Sequence, residues 1–165
     1  MKEFLFIRHA KSSWSDISLR DFDRPLNKRG LRDAPFMAKL LAGKGIKPDA
    51  IVSSPANRAY TTATYFAEAT GIKEKQIIKE EDIYEAAPVT VREILADLDD
   101  KLKTVLIFGH NPTFTDLANH YGGEYIPNVP TCGIVHFRSL AKSWEKVKPD
   151  NTERVGFYYP KEYFV

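Results

Sequence analysis

The hydrophobic pattern contains short, uninterrupted apolar runs at residues 4–7, 50–52 and 105–108. Runs of this length are typical of strands that are buried on both faces of a sheet. A weaker run at 76–78 is a fourth candidate. We therefore predict a buried sheet whose first strands are spread over the chain up to residue 108.

Between these runs, apolar residues recur at the spacing of one helix face, at 37–41, 59–67 and 91–98. Strands that alternate with helices predict an α/β fold, with a largely parallel central sheet and helices on its faces. Pro35 interrupts the first helical pattern. That helix is therefore expected either to start near Asp33 or to be kinked at the proline.

The last third of the chain changes character. Candidate strands at 133–137, 143–147 and 155–159 are separated by turn residues, which predicts an antiparallel edge added to the parallel sheet. No repeat, low-complexity tract or linker interrupts the sequence. We expect a single domain over residues 1–165, in a three-layer αβα sandwich.

Composition narrows the class of protein. The 165 residues carry a formal net charge of +2, too balanced for general binding to nucleic acid or membranes. The lone Cys132 excludes an intramolecular disulfide and is expected to be a small buried group. The apolar run at the N-terminus is too short for a signal peptide or a membrane span. We expect a soluble, cytoplasmic protein.

Polar side chains follow the predicted strands. Arg8 and His9 end the first strand, Arg58 follows the second and His110 follows the fourth. The carboxyl ends of parallel strands meet at one edge of a sheet, where α/β proteins bind ligands. Ser54-Pro55 and Asn111-Pro112 predict helix starts there, with Ser54 and Asn111 as caps and each proline as the first helical residue. Arginines and helix N-termini together favour a phosphoryl group.

The residue types at this edge indicate covalent phosphoryl transfer. A neutral His9 can accept a phosphoryl group and return it to water, while the arginines stabilise its oxygens. Protein cations would then make a metal or other cofactor unnecessary. Two alternatives are a metallohydrolase that uses His9 and His110 with carboxylates, and a module that binds phosphoryl groups without turnover. His120 and His136 are expected to be structural.

Four blocks carry a family resemblance: RHAKSSW at 8–14, DRPLNKRG at 23–30, SSPANRAYTTA at 53–63 and GHNP at 109–112. In this order they resemble the histidine phosphatase superfamily, and more closely its short SixA-type branch. The resemblance implies a phosphoglycerate mutase-like fold. It also implies that His9 accepts the phosphoryl group and that Arg8, Arg58 and His110 hold its oxygens.

The resemblance further implies an acid that protonates the leaving group. Glu85 is the leading candidate, and Asp16, Asp21 and Asp23 compete with it in the long polar connection at 10–30. A connection of that length after a buried strand is usually functional or disordered. Ser15, in the same connection, and Asn111 are additional candidates for binding substrate.

Chain length bears on the substrate. Longer relatives insert helices that wall the pocket, whereas the segment 67–105 leaves little room for a lid. An open crevice suits phosphohistidine in a protein, with a histidine-containing phosphotransfer domain as one such partner in signal transduction. A small phosphorylated metabolite is the alternative substrate, and a mutase is disfavoured because it needs an enclosed pocket.

Overall fold

The computed structural model describes residues 1–164, within which six strands form one sheet. The strands in chain order are β1 (Lys2–Arg8), β2 (Ala50–Ser53), β3 (Ile78–Lys79), β4 (Thr104–Gly109), β5 (Ile134–Ser139) and β6 (Thr152–Tyr158). They lie in the order β3-β2-β4-β1-β5-β6. The parallel pairs are β1 with β4, β2 with β4 and β2 with β3. Strand β5 pairs with β1 and with β6, and both of these pairs are antiparallel. The predicted parallel sheet with an antiparallel edge is confirmed.

Four helices cover the sheet: α1 (Lys28–Gly43), α2 (Asn57–Thr70), α3 (Pro88–Ala96) and α4 (Thr113–His120). Successive residues of β1 point to opposite faces. Leu5 and Ile7 pack with α1 and α2, whereas Phe4 and Phe6 pack with α3 and α4. This is the predicted three-layer sandwich. None of these helices, within residues 1–164, is long and apolar enough to span a membrane.

Helix α1 begins at Lys28 and contains Pro35, so of the two predicted alternatives the start near Asp33 is wrong. The Asn27 side chain accepts a hydrogen bond from the Gly30 amide and caps the first turn. Proline removes one backbone hydrogen bond from the helix. Tertiary packing of one apolar face supplies most helix stability and offsets that loss; this face is Ala34, Met37, Ala38 and Leu41.

The strand predicted at 143–147 is wrong, because Trp144–Lys146 form a 3-10 turn. Trp144 is only 1% exposed, and its indole nitrogen donates to the Leu102 carbonyl over 2.9 Å. Its ring lies edge-on to Phe4, with the ring centroids 6.3 Å apart. The apolar pattern in this segment therefore reflects a single buried anchor and not an alternating strand.

Candidate active site

A cavity of about 240 Å³ opens where β1, β2 and β4 end. It contains the four residues that sequence reasoning placed at strand ends, and the ring centroids of His9 and His110 lie 5.4 Å apart. The register of the parallel strands explains why these residues lie together: Arg8 of β1 pairs with Gly109 of β4, and Ser53 of β2 pairs with Phe108 of β4. The lining residues are Arg8, His9, Lys11, Ser12, Trp14, Arg24, Arg58, His110, Asn111 and Thr131.

His9 is buried and held in one tautomer. Its Nδ1 lies 2.7 Å from the Ala10 carbonyl oxygen. A carbonyl can only accept, so Nδ1 carries the proton and Nε2 of the neutral ring keeps its lone pair. Burial, assisted by His110 and the two arginines, lowers the pKa of His9 to about 3 against the opposing effect of the Ala10 bond. The ring is therefore neutral at physiological pH, with the lone pair of Nε2 available.

The two arginines each leave a buried nitrogen available. Arg8 Nη1 donates to the Val129 carbonyl over 2.9 Å, and Arg58 Nη1 donates to the Asp21 carbonyl over 2.7 Å. Neither Nε has a partner among the described residues, although both are buried. Buried donors normally have a partner. An anion with several oxygens, bound in the pocket, would offer acceptors to these two arginines.

Asp21 orients Arg58. Its carboxylate accepts from Arg58 Nη2 over 3.0 Å, from the Tyr84 hydroxyl over 2.7 Å and from Arg24 Nε over 3.2 Å. Partial burial opposes ionisation, but the hydrogen bonds from Tyr84 and Arg58 prevail and hold the pKa of Asp21 at about 2. This carboxylate is ionised at neutral pH and has no proton to donate to a leaving group.

His110 is also neutral. Burial, with the Arg58 charge, lowers its pKa to about 4. Its Nε2 lies 2.8 Å from the Ser54 hydroxyl oxygen, and its Nδ1 is buried without a partner among the described residues. The Ser54 oxygen also accepts from the Ala56 amide over 3.2 Å, so its hydroxyl hydrogen can be donated to Nε2. That assignment leaves the proton on Nδ1, where it can be donated to a ligand.

The helices at this edge start later than predicted. Helix α2 begins at Asn57 and α4 at Thr113, so neither Pro55 nor Pro112 is the first helical residue. The Ser54 oxygen binds an amide before the helix instead of within it. Arg58 is the second residue of α2 and does lie in its first turn, as expected.

Asn111 lines the cavity but is occupied by protein contacts. Its Oδ1 accepts from the Thr115 amide over 3.1 Å, close to the start of α4. Its Nδ2 donates to the Val129 carbonyl over 3.0 Å and to Asn128 Oδ1 over 3.1 Å. Asn111 therefore fixes the wall of the pocket, and its role in binding substrate stays a prediction.

Five predicted candidates lie outside the lining of the cavity: Ser15, Asp16, Asp21, Asp23 and Glu85. The first two bond to neighbouring serines in the polar connection, and Asp23 pairs with Arg20 over 2.9 Å. Glu85 is exposed and has a φ of 58°, in the left-handed region that non-glycine residues seldom adopt. It directly follows Tyr84, whose ring lies edge-on to His110 at 5.7 Å.

Sequence reasoning assigned no role to several lining residues. Arg24 is buried, donates to Ser12 Oγ over 2.9 Å and stacks its guanidinium 3.5 Å from the centre of the Trp14 ring. Sequence reasoning also gave no role to Tyr84, which does not line the cavity and is linked to the site by the hydrogen bond from its hydroxyl to Asp21. The signal for Arg24 was present in the block DRPLNKRG, but its local pattern does not show which way the side chain points.

The remaining candidates lie elsewhere. His136 bonds to Glu3 Oε2 over 2.8 Å, and His120 is exposed at the end of α4. Cys132 is fully buried, which raises the pKa of its thiol. Within residues 1–164, no group of three or more His, Cys, Asp or Glu side chains is arranged to hold a metal ion.

A sequence model of the histidine phosphatase superfamily (branch 1) matches residues 4–102, more than half of the chain. The chain belongs to this superfamily. An uncharacterized protein of Mycobacterium tuberculosis is 35% identical over 94% of this chain and 100% of its own length. An uncharacterized chloroplastic protein of Arabidopsis thaliana is 32% identical over 88% of this chain and 70% of its own length.

Solved structures define the branch. A candidate phosphohistidine phosphatase SixA from Agrobacterium tumefaciens is 28% identical, with a TM-score of 0.81 over 96% of this chain and 98% of its own. The protein histidine phosphatase SixA complexed with tungstate shares the fold at 19% identity, with a TM-score of 0.81 over 97% of this chain and 98% of its own. The chain is a SixA-like member of the superfamily, and the family and fold together support phosphatase activity.

Proposed function

We propose that this protein hydrolyses phosphohistidine in a protein substrate, without a metal ion, through a phosphoryl group carried on His9. One observation carries the proposal. His9 is a buried, neutral imidazole whose Nδ1 is tied to the Ala10 carbonyl, and its free Nε2 shares a cavity with Arg8 and Arg58. A nucleophile, its tautomer and cationic groups for the transferred oxygens are thereby combined in one pocket.

In the first step, His9 Nε2 attacks phosphorus and forms a P–N bond. The bond from phosphorus to the leaving nitrogen breaks, and its electron pair stays with the leaving imidazole. Arg8, Arg58 and the His110 Nδ1 proton bind the phosphoryl oxygens, whose charge is spread in the transition state. Because these groups are fixed before reaction, little reorganisation is needed.

Protonation of the leaving group is the part of the step that depends on substrate. A phosphohistidine ring that is already protonated leaves as neutral imidazole and needs no acid, whereas an alkoxide requires one. We assign that secondary role to Glu85, next to Tyr84 at the site. Asp21 is unsuitable because its carboxylate already accepts hydrogen bonds from Arg58, Tyr84 and Arg24.

In the second step, water attacks the phosphorus of phospho-His9. An O–P bond forms, the P–N bond breaks, and the electron pair returns to His9 Nε2. One proton of the water is lost to solvent or stays on the released inorganic phosphate, depending on pH. Together the two steps consume one water and regenerate neutral His9.

The surroundings of the pocket favour a macromolecular substrate. Trp14, which lines the pocket, is 68% exposed, and Ile17, three residues further along the same connection, is 96% exposed. Between α2 and β4 the chain is taken up by β3, α3 and short 3-10 turns. We take the apolar surface of these two side chains, beside the pocket, as a site of contact with a protein substrate.

Replacing His9 tests the covalent mechanism. We expect His9→Ala to lower kcat/KM for phosphoramidate and for a phosphohistidine peptide by about 1,000-fold or more, because the nucleophile is lost. Wild-type protein sampled within the first turnovers should carry an acid-labile phosphoryl group that peptide mapping places on His9. Chelator treatment should leave both rates unchanged.

His120→Ala is the matched control, because His120 is exposed at the far end of α4. Activity of His9→Ala within about tenfold of wild type would contradict the mechanism. A phosphoryl group mapped to another residue would also contradict it. Loss of activity in chelator that a divalent cation restores would contradict metal independence.

A further inference from the structure

A second cavity of about 500 Å³ adjoins the phosphoryl pocket, and we call it the basic cleft. The two cavities share three lining residues, Arg8, Lys11 and Thr131. The cleft therefore adjoins the pocket across this shared wall and extends from it toward α1 and the C-terminal turn. Its complete lining is Arg8, Lys11, Arg29, Arg32, Asp33, Asn128, Pro130, Thr131, Pro160, Lys161 and Phe164.

The cleft concentrates positive charge. Five of its lining side chains are Arg or Lys, and one is a carboxylate, whereas the whole chain has a formal net charge of only +2. Arg29 and Arg32 are about half exposed, with side-chain exposures of 51% and 50%. Lys11 and Lys161 form no ion pair with another described residue. The cleft thus presents cations to solvent beside a pocket that already contains two arginines.

Protein contacts fix these cations before any ligand arrives. Asp33 is only 1% exposed, and its carboxylate lies 2.8 Å from Arg32 Nη2 and 3.8 Å from Arg29 Nε. Arg29 Nη2 also donates to Thr131 Oγ1 over 3.0 Å. The Arg32 guanidinium lies 4.0 Å from the centre of the Phe164 ring. Pre-oriented guanidinium groups lose little side-chain entropy when they bind carboxylates.

We propose that the basic cleft binds acidic side chains that flank the phosphorylated histidine of a protein substrate. The inference rests on the proposed function, since it assigns the phosphoryl group itself to the adjoining pocket. Two observations favour an acidic segment of the substrate as the ligand: the positive charge of the cleft and the wall that it shares with the phosphoryl pocket. If a substrate whose phosphohistidine lies over His9 extends past Arg8 and Lys11, carboxylates on that stretch would meet Arg29, Arg32 and Lys161.

The test compares two phosphohistidine peptides, one flanked by glutamate and the other by glutamine at the same positions. We expect wild-type kcat/KM to be about tenfold higher for the glutamate peptide at low salt, with the difference shrinking as salt is added. Lys161→Glu should lower kcat/KM for that peptide by about fivefold and leave phosphoramidate turnover unchanged. Lys161 is exposed in the turn Pro160–Glu162, so its replacement does not disturb the core.

Lys142→Glu is the matched control, because it makes the same charge change at an exposed site outside the lining of the cleft. Equal kcat/KM for the two peptides, or equal effects of the two variants, would overturn the inference while phosphoramidate turnover still supports the proposed function. Absence of turnover of phosphoramidate and of both peptides would instead refute the proposed function.

Inorganic pyrophosphate serves as a small substrate with a second phosphoryl group. If it is cleaved better than the glutamate peptide and with the same sensitivity to Lys161→Glu, the occupant is a small molecule and the inference is wrong.

Discussion

At the scale of single residues, the pocket combines neutral imidazoles with permanent cations. Burial lowers the pKa of His9 to about 3 and that of His110 to about 4, and neighbouring arginines act in the same direction. The same arginines that would hold a phosphoryl group therefore add to the effect of burial, which keeps the proposed nucleophile unprotonated. Asp21 compensates for part of this charge and keeps Arg58 in place.

These pKa values predict a loss of stability in acid. Between pH 6.5 and about 4, the unfolded chain binds protons at His9 and His110 that the folded chain does not bind. The free energy of unfolding should therefore fall as pH drops below 6.5, by about 2 kcal/mol per histidine at pH 5. Denaturant titrations in phosphate-free buffer measure it. In His9→Gln, the free energy of unfolding should fall by about 2 kcal/mol less at pH 5, since one of the two histidines no longer contributes. An unchanged pH dependence would contradict this origin.

Glu85 makes a separate prediction that depends on the leaving group. Glu85→Gln should lower kcat/KM for an alkyl phosphate by about 100-fold, because an alkoxide needs a proton donor. Turnover of phosphoramidate, whose nitrogen leaves already protonated, should change far less. Glu81→Gln is the control, since Glu81 is an exposed glutamate in the preceding turn. Equal losses on both substrates would show that Glu85 is not the acid.

At the scale of elements, the long connection between β1 and α1 is held in place by both of its neighbours. In the middle of this connection, the Asp21 carboxylate accepts hydrogen bonds from Arg58 of α2 and from Tyr84, which follows β3. The Asn27 amide donates to the Lys11 carbonyl over 3.0 Å, which brings its two ends together. The connection predicted to be functional or disordered is thus ordered, and it forms one wall of the pocket.

Gly30 in the first turn of α1 is required for this closure. A Cβ at Gly30 would collide with the backbone carbonyl oxygen of Lys11, whereas a Cβ at Gly43 would meet nothing within 4 Å. We expect Gly30→Ala to lower the free energy of unfolding by about 1–3 kcal/mol. Gly43→Ala, the control in the same helix, should be neutral or stabilise by up to about 1 kcal/mol. Thermal unfolding of both variants measures the difference, and equal stabilities would contradict the close approach.

At the scale of the whole molecule, the sheet order assembles the pocket. Strand β1 lies between β4 and β5, and β2 lies beside β4, so residues from distant parts of the sequence meet at one edge. The order also places the segment Val129 to Thr131, just before β5, against the same pocket, where the Val129 carbonyl accepts from Arg8. The central strands β1 and β4 are buried on both faces, so the core packs against them up to this edge.

The sequence by itself determined the class of fold and the principal residues of the site. Buried strands require continuous apolar runs and helices require one apolar face, so β1, β2, β4 and the helices on the sheet could be predicted. Arg8, His9, Arg58 and His110 were found because each ends a strand, directly follows one or lies in the first turn of a helix, and topology then fixes where such residues lie. The helix starts were placed too early, because capping residues also form turns that precede a helix.

Tertiary structure alone decided how the side chains are connected. The tautomer of His9, the bond from Tyr84 to Asp21 and the unpartnered nitrogens of Arg8 and Arg58 depend on contacts between distant segments. The basic cleft is of the same kind, since Lys161 joins Arg29 only when the C-terminal turn packs beside α1. Local patterns record burial and backbone conformation, whereas hydrogen bonds and charge clusters depend on distances that only the folded chain defines.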